Sequence, residues 1–302
     1  MVPKEMFRVD QFAVDGVVLL ADATGDARGA VHTRPEVVEF ILDLVGWRAG
    51  EIQRSFRFLE PSAGHADFLA PAVQRLFESL PEASLAELEP MILAVEVNLD
   101  AVAICRSRVE AIAASAGRSP REARQLSSAW VRHADFLTLP LEANFSHVVG
   151  NPPYVRLEAL PKPLLKLYRS LWNSLYDRAD LYVAFIQKSL GLLSPEGRIG
   201  FICADRWMRN RYGKVLRQHV SDGFHLEVNV DFTNCPAFLS EVDAYPSVFT
   251  IRRGKGVLTR TCRRPEIRRE VLRELAVQLT HETASPDVSV CVGSSMATIP
   301  GY

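Results

Sequence analysis

The chain has 302 residues and a mass of 33.7 kDa, enough for one large α/β domain or two small ones. Its composition, 48% hydrophobic and 24% charged, is typical of globular proteins and excludes a disordered or collagen-like chain. No apolar stretch is long enough to span a membrane and no signal peptide is visible, so we predict a cytoplasmic protein without a membrane partner. The five cysteines form no Cys-x-x-Cys pair, which predicts free thiols and no metal site.

The net charge of −1 hides an uneven distribution. From Arg252 to Tyr302, nine Lys and Arg residues face five Asp and Glu residues, a net charge of +4, and the remainder carries −5 (26 against 31). A basic carboxyl-terminal stretch is typical both of nucleic-acid contact and of a solvated surface helix, and the count alone leaves both interpretations open.

The first predicted helix begins after residue 30. Thr33 is suited to a helix cap and Pro35 to a first turn, and apolar residues follow at helical spacing as far as Val45. Residues 1–30 show no periodic pattern, and we treat them as a separate amino-terminal segment.

After Val45, strands and helices alternate. Helices are predicted between the strands, as at 98–116 and 180–193, and the apolar runs predict seven strands, near 56–60, 91–96, 131–134, 147–150, 198–203, 224–231 and 246–252. The last two strands have no crossover helix between them and should pair antiparallel. The pattern predicts a doubly wound α/β sheet, mostly parallel with an antiparallel last strand, and helices on both faces.

A turn of small residues, Pro61-Ser62-Ala63-Gly64, follows Glu60 at the end of the first strand. Small residues at the start of a helix allow a ligand to approach the backbone. Glu96 ends the second strand and Asp135 follows the third, where open α/β sheets have their ligand crevice. The alternatives are that residues 61–64 form an ordinary structural turn and that Glu96 and Asp135 are solvated strand ends.

The most specific segment, Asn151-Pro152-Pro153-Tyr154, directly follows the fourth strand. The two prolines have fixed φ angles and no backbone N–H, which leaves the Pro152 carbonyl as a rigid acceptor. An acceptor between an amide and an aromatic ring is suited to hold a planar amine. The alternative is an ordinary proline turn with Tyr154 in the core.

A basic stretch follows the fifth strand, at the rim of the predicted crevice. It contains two aromatic residues, Trp207 and Tyr212, among five cations: Arg206, Arg209, Arg211, Lys214 and Arg217. Cations with interleaved aromatics are suited to contact phosphates and bases. A solvated helix face is the alternative.

These motifs, in this order, resemble the S-adenosylmethionine-dependent DNA methyltransferases that modify the N6 amine of adenine. The helix with Thr33 precedes the glycine turn, as in the gamma arrangement of Type II restriction-modification methylases. The resemblance covers about Gly29 to Arg253. It implies a Rossmann-like sheet, a catalytic domain over 31–253 and a basic extension over 254–302. In that family a target-recognition domain follows the catalytic one, and 254–302 is too short for it, so we expect that part on a longer chain or a separate subunit.

The resemblance also assigns roles to individual residues. It implies that the cofactor contacts Thr33, Glu60, Pro61, Ser62, Ala63, Gly64, Glu96, Asp135, Phe136 and Asn151. Catalysis and the grip on the base are implied for Asn151, Pro152, Pro153 and Tyr154. Double-stranded DNA would be contacted by Tyr154, by Phe238, which matches the phenylalanine that packs on the flipped base, and by Arg206, Arg209, Arg211 and Lys214.

Three positions depart from the family pattern: Ala66 replaces a second glycine, Arg34 a proline and Asn98 an acid. The Cβ atom of Ala66 is expected to crowd the cofactor. Asn-Pro-Pro-Tyr also occurs in methyltransferases of RNA bases and of protein glutamine, although the helix at Thr33 argues against both. A module that binds cofactor or DNA without catalysis is a further alternative. No nuclease site is expected, because Pro286-Asp287 lacks the Glu-x-Lys or Asp-x-Lys that would complete it.

Overall fold

The structure is a computed structural model that describes residues 31–240, 245–280 and 287–292. The predicted amino-terminal segment 1–30 therefore lies outside the described residues. The strands are β1 (Phe58–Glu60), β2 (Ile92–Glu96), β3 (Val131–His133), β4 (Phe145–Gly150), β5 (Leu193–Ala204), β6 (Phe224–Asp231), β7 (Pro246–Arg253), β8 (Leu258–Arg263) and β9 (Ser289–Val292).

The helices are α1 (Pro35–Val45), α2 (Leu69–Ser79), α3 (Leu85–Leu88), α4 (Leu99–Ser115), α5 (Pro120–Trp130), α6 (Lys162–Leu171), α7 (Tyr182–Leu192), α8 (Arg206–Arg209), α9 (Lys214–Gly223) and α10 (Arg269–Thr280). Short 3-10 turns occupy Glu89–Met91, Leu157–Ala159 and Arg211–Gly213. Within the described ranges, none of the helices has the length and apolar character needed to cross a bilayer.

The nine strands form one sheet in the order β3-β2-β1-β4-β5-β7-β6-β8-β9. β1 to β5 pair parallel, and β7 lies antiparallel between β5 and β6, as the missing crossover helix predicted. The predicted number of seven strands is wrong: β8 pairs parallel with β6, and β9 pairs antiparallel with β8. Both were missed because β8 has only two apolar residues, Leu258 and Cys262, separated by three polar ones, and β9 has only four residues. The predicted domain boundary at 253 falls between β7 and β8 of this sheet.

Helices cover both faces of the sheet, as predicted. One buried cluster joins α1, α2, α4, α5 and α10 to one face, and a second joins α6, α7 and α9 to the other. The two faces explain why β4 and residues 199–204 of β5 are almost continuously buried.

The α1 helix packs unusually close to the sheet because β5 has a glycine beneath it. A Cβ atom on Gly200 would overlap the side chain of Val45 and would lie 3.1 Å from Ile41. The helix ends at Gly46, whose φ of 86° gives the left-handed cap that favours glycine. The prediction that Thr33 caps α1 is wrong. Arg34 occupies the N-cap position, and Thr33 instead pairs with Phe238 in a short bridge.

We expect Gly200→Ala to lower the free energy of unfolding by about 1 to 3 kcal/mol, because the added methyl group overpacks the contact with α1. Gly191→Ala is the matched control: its Cβ would meet nothing within 4 Å and it lies in α7, so the change should raise stability by up to about 1 kcal/mol. Urea unfolding of both variants tests this. Equal stability of the two variants would contradict the close packing of α1.

Candidate functional site

Two adjoining cavities lie at the carboxyl ends of β1, β2 and β4. The larger, about 310 Å³, is lined by Glu96 and Phe136 among others. The smaller, about 70 Å³, is lined by Thr33, Glu60 and Asn151 to Tyr154. Ser62, Gly64, His65 and Pro153 border both cavities, so the two form one cleft. The structure thus brings together motifs that are widely separated in the sequence.

The turn after β1 forms the floor between the two cavities. Its Ala63 N–H donates to the Val95 carbonyl (3.0 Å), and Gly64 has a left-handed φ of 50°. Ala66 also has a positive φ, 68°, where glycine is favoured. The Ala66 side chain is buried in the core, and it is not part of the lining of either of these two cavities.

Glu96 connects β2 to this turn. One carboxylate oxygen accepts from the Gly64 N–H (2.7 Å), and the other accepts from the N–H groups of Val97 (2.9 Å) and Asn98 (2.8 Å). Burial raises the pKa of Glu96, and these three backbone donors oppose the rise. The departure at Asn98 has a structural role, since its side-chain oxygen caps α4 by accepting from the Ala101 N–H (3.0 Å).

Glu60 is a buried carboxyl group with an unpartnered oxygen. It is 1% exposed, and within the described part of the chain its Oε2 atom has no hydrogen-bond partner. Burial, followed by the nearby carboxylates of Asp67 and Glu96, raises the pKa of Glu60 well above its ordinary value. Because Glu60 lines the smaller cavity, a cationic ligand group there would stabilise its ionised form.

Asp135 lies behind the larger cavity. Its oxygens accept from the Leu137 N–H (2.9 Å) and from the hydroxyls of Thr138 (2.9 Å) and Tyr168 (3.0 Å). Its neighbours Ala134 and Phe136 line the cavity. The structure therefore presents Phe136 at the cavity wall and uses the Asp135 carboxylate to shape the turn behind it.

Lys188 is a buried cation that the sequence analysis missed. Its ammonium donates to the carbonyls of Phe136 and Leu139 and lies 4.8 Å from the Phe136 ring centre. Burial lowers the pKa of Lys188 to about 8, and the Asp135 carboxylate opposes this. Lys188 thus ties α7 to the turn that forms the cavity wall. A lysine within the apolar helix predicted at 180–193 was the signal that could have identified it.

The amide of Asn151 has a fixed orientation. Its nitrogen donates to the Val31 carbonyl (3.0 Å) and to the Thr33 hydroxyl (3.3 Å). A carbonyl can only accept, so the nitrogen end of the amide must face Val31. The Oδ1 atom is buried and has no partner among the described residues. The cleft therefore contains an oriented acceptor without a donor.

Tyr154 and Phe238 form an aromatic pair beside this acceptor. Their ring centres are 6.2 Å apart in an edge-to-face arrangement, and the Tyr154 ring is 6.4 Å from that of Tyr182. A short antiparallel bridge between Thr33 and Phe238 holds the pair next to α1. Hydrogen bonds on either side of the bridge, Arg34 N–H to Ala237 (3.0 Å) and Leu239 N–H to His32 (2.9 Å), fix its position.

The basic stretch differs from its sequence interpretation. Trp207 and Tyr212 are buried in the core, so the interleaved aromatics are not available to stack on bases. Arg217 donates to the carbonyls of Trp207 (2.7 Å) and Asn210 (2.9 Å), and Arg209 pairs with Asp205 (2.8 Å). The predicted DNA contacts Arg209, Arg211 and Lys214 are exposed, and Arg206 is partly exposed.

Comparison with known proteins gives consistent matches. A family model described as Eco57I restriction-modification methylase matches residues 93–238. The chain is 46% identical over 267 residues to the Type II methyltransferase M.PaeR7I of Pseudomonas aeruginosa and 44% identical over 285 residues to M.XhoI of Xanthomonas vasicola. These matches cover 87% and 89% of this chain but 46% and 52% of the two relatives, so the chain spans about half their length.

Solved structures share the fold at low sequence identity. The type IIG restriction endonuclease BpuSI matches with a TM-score of 0.64 and 17% identity over 93% of this chain and 33% of its own. The methyltransferase subunit of a type I restriction-modification system from Streptococcus thermophilus matches with a TM-score of 0.60 and 11% identity, over 90% of this chain and 58% of its own.

The buried ammonium of Lys188 predicts a pH dependence of stability. Because the folded-state pKa is lowered to about 8, the unfolded chain binds more protons between that pH and the ordinary lysine value. Over this window the wild-type free energy of unfolding should therefore rise relative to that of Lys188→Met, by at most about 1.4 kcal/mol per pH unit. Parallel stability curves for the two proteins between pH 7.5 and 10 would show that Lys188 is not buried as a cation.

Proposed function

Since the chain belongs to the restriction-modification methylase family, we propose that it is a site-specific DNA methyltransferase. It transfers a methyl group from S-adenosylmethionine to the N6 amine of an adenine flipped out of double-stranded DNA. The single observation that carries this proposal is the buried, oriented and unpartnered Oδ1 of Asn151.

The chemistry of the adenine amine accounts for this acceptor. The amine is a poor nucleophile because its lone pair is delocalised into the ring. Hydrogen bonds from its two N–H groups to Asn151 Oδ1 and the Pro152 carbonyl favour a pyramidal nitrogen and stabilise the positive charge that develops there. No side chain has to remove a proton before transfer, and the motif contains no histidine.

The aromatic pair supports a flipped base as the substrate. Tyr154, which lines the smaller cavity, offers a ring for stacking, and Phe238 packs edge-to-face on it from the bridge with Thr33. A base inside a duplex is out of reach of a buried acceptor, so the adenine must leave the helix at a cost of a few kcal/mol. Stacking on aromatic rings offsets part of that cost.

The residues of the cleft fit S-adenosylmethionine, which supplies an activated methyl group when bound. Glu96 and Phe136 line the larger cavity, which supports Glu96 as the acceptor for the ribose hydroxyls of the cofactor. At the smaller cavity, the unpartnered carboxyl oxygen of Glu60 suits the cofactor's ammonium group, and Thr33 and Gly64 lie beside it. Asp135 contributes to binding the adenine part of the cofactor mainly by holding the turn that carries Phe136.

Duplex DNA is the proposed partner, held by Arg206, Arg209, Arg211 and Lys214 through phosphate contacts, which position DNA without reading its sequence. Because the relatives are about twice as long as this chain, we assign sequence recognition to a further region or subunit. Such a protein acts on DNA in the cytoplasm, as part of a restriction-modification system.

Glu96→Ala should weaken S-adenosylmethionine binding by about 1 to 3 kcal/mol, because cofactor hydroxyls lose their acceptor. Glu142→Ala, an exposed carboxylate outside the cleft, is the control and should leave the affinity unchanged. Calorimetric titration of both variants measures the difference. Wild-type affinity in Glu96→Ala would remove Glu96 from the cofactor site.

The proposed function is tested by mapping methylated adenines in DNA exposed to the full-length protein. In the same assay, Asn151→Ala should lower the single-turnover methylation rate at least about 100-fold, far more than it lowers cofactor affinity, because the lost acceptor acts mainly in the transition state. Full activity of Asn151→Ala would contradict the mechanism. Methyl transfer to RNA or protein instead of DNA would contradict the proposed substrate class.

A further inference from the structure

Leu239 is an apolar side chain left in solvent at the edge of the aromatic pair. It is 64% exposed, whereas its neighbour Phe238 is 7% exposed and packs edge-to-face on Tyr154. A single exposed leucine is common on protein surfaces and needs no explanation by itself. The position of Leu239 is what distinguishes it, since it directly follows Phe238, which packs on Tyr154 of the proposed base site.

The backbone of Leu239 is held although its side chain is free. Its N–H donates to the His32 carbonyl (2.9 Å), and two residues earlier the Ala237 carbonyl accepts from the Arg34 N–H (3.0 Å). The Arg34 guanidinium adds a longer bond to the Phe238 carbonyl (3.4 Å). The leucine is therefore presented from a segment that hydrogen bonds anchor to the residues just before α1.

The segment that carries Leu239 follows β6 at the same edge of the sheet at which β5 ends and β7 begins. Just before β7, Tyr245 is half exposed, and the Arg206 guanidinium lies 5.9 Å from the centre of its ring. Arg211 and Lys214 are exposed on the segment that follows β5. Charge complementarity favours a duplex phosphate backbone as the occupant of this edge of the sheet.

We propose that Leu239 enters the DNA stack at the position that the flipped adenine leaves. This inference rests on the proposed function. Removing a base from a duplex exposes the faces of its neighbours, and apolar side chains inserted between base steps stabilise such openings in other DNA-binding proteins. Leu239 then fills the gap in the base stack, and the aromatic pair receives the extruded base.

The test compares Leu239→Ala on two duplexes that carry the mapped site, one fully paired and one with a mismatch opposite the target adenine. A mismatch lowers the cost of extruding the base, so a residue that assists extrusion matters less there. We expect Leu239→Ala to lower the single-turnover rate about tenfold on the paired duplex, equivalent to about 1.4 kcal/mol. On the mismatched duplex most of that loss should disappear. Leu239→Met, which keeps an apolar side chain of similar reach, should retain the wild-type rate on both.

Leu171→Ala, an exposed leucine at the end of α6, is the matched control and should behave as wild type on both duplexes. Wild-type activity of Leu239→Ala on the paired duplex would overturn the proposal. An equal loss on both duplexes would also overturn it, because it would indicate a structural defect or a plain contact with the backbone. If the wild-type protein methylates neither duplex, the proposed function itself fails, which is a separate result.

Discussion

The site depends on one non-local contact, the short antiparallel bridge between Thr33 and Phe238. It places the segment before α1 against the segment that precedes β7, and the Asn151 amide completes the junction by donating to Val31 and Thr33. Three segments are thus joined by hydrogen bonds whose partners are more than 100 residues apart in the sequence. Because the Asn151 amide donates to Val31 and Thr33, this junction fixes the direction in which the Asn151 oxygen points.

Buried polar groups are arranged around this junction in two ways. Glu96, Asp135 and Lys188 have hydrogen-bond partners and hold turns in place. Glu60 and Asn151 each have an oxygen without a partner in the described residues, and both line the smaller cavity. A buried acceptor without a donor costs about 1 to 3 kcal/mol, so the folded protein is less stable than a fully paired version of itself. Ligands that supply the donors offset that cost, which links stability to occupancy of the cleft.

The sequence predicted the first seven strands and the placement of the glycine turn, Glu96 and Asn151 because each depends on local patterns: apolar runs, small residues and prolines. It did not predict β8, which is mostly polar and has no apolar run, or the burial of Trp207 and Tyr212. Lys188 was missed for a related reason. Its partners are the backbone carbonyls of Phe136 and Leu139, and carbonyls leave no trace in a side-chain pattern. The pairing of Thr33 with Phe238 likewise exists only once the sheet has formed.

The close packing of α1 over Gly200 has a mechanical consequence for the cleft. The helix has 11 residues and is therefore about 16 Å long, and its first turn directly follows Thr33. A helix of this length that packs directly on the sheet does not accommodate a change in the volume of the core beneath it by bending. It moves as a unit instead. Displacements beneath Val45 are therefore transmitted to the rim of the smaller cavity. The volume of the core beneath α1 and the geometry of the smaller cavity are therefore coupled through this helix. Repacking the core for thermal stability would have to preserve the contact between α1 and Gly200.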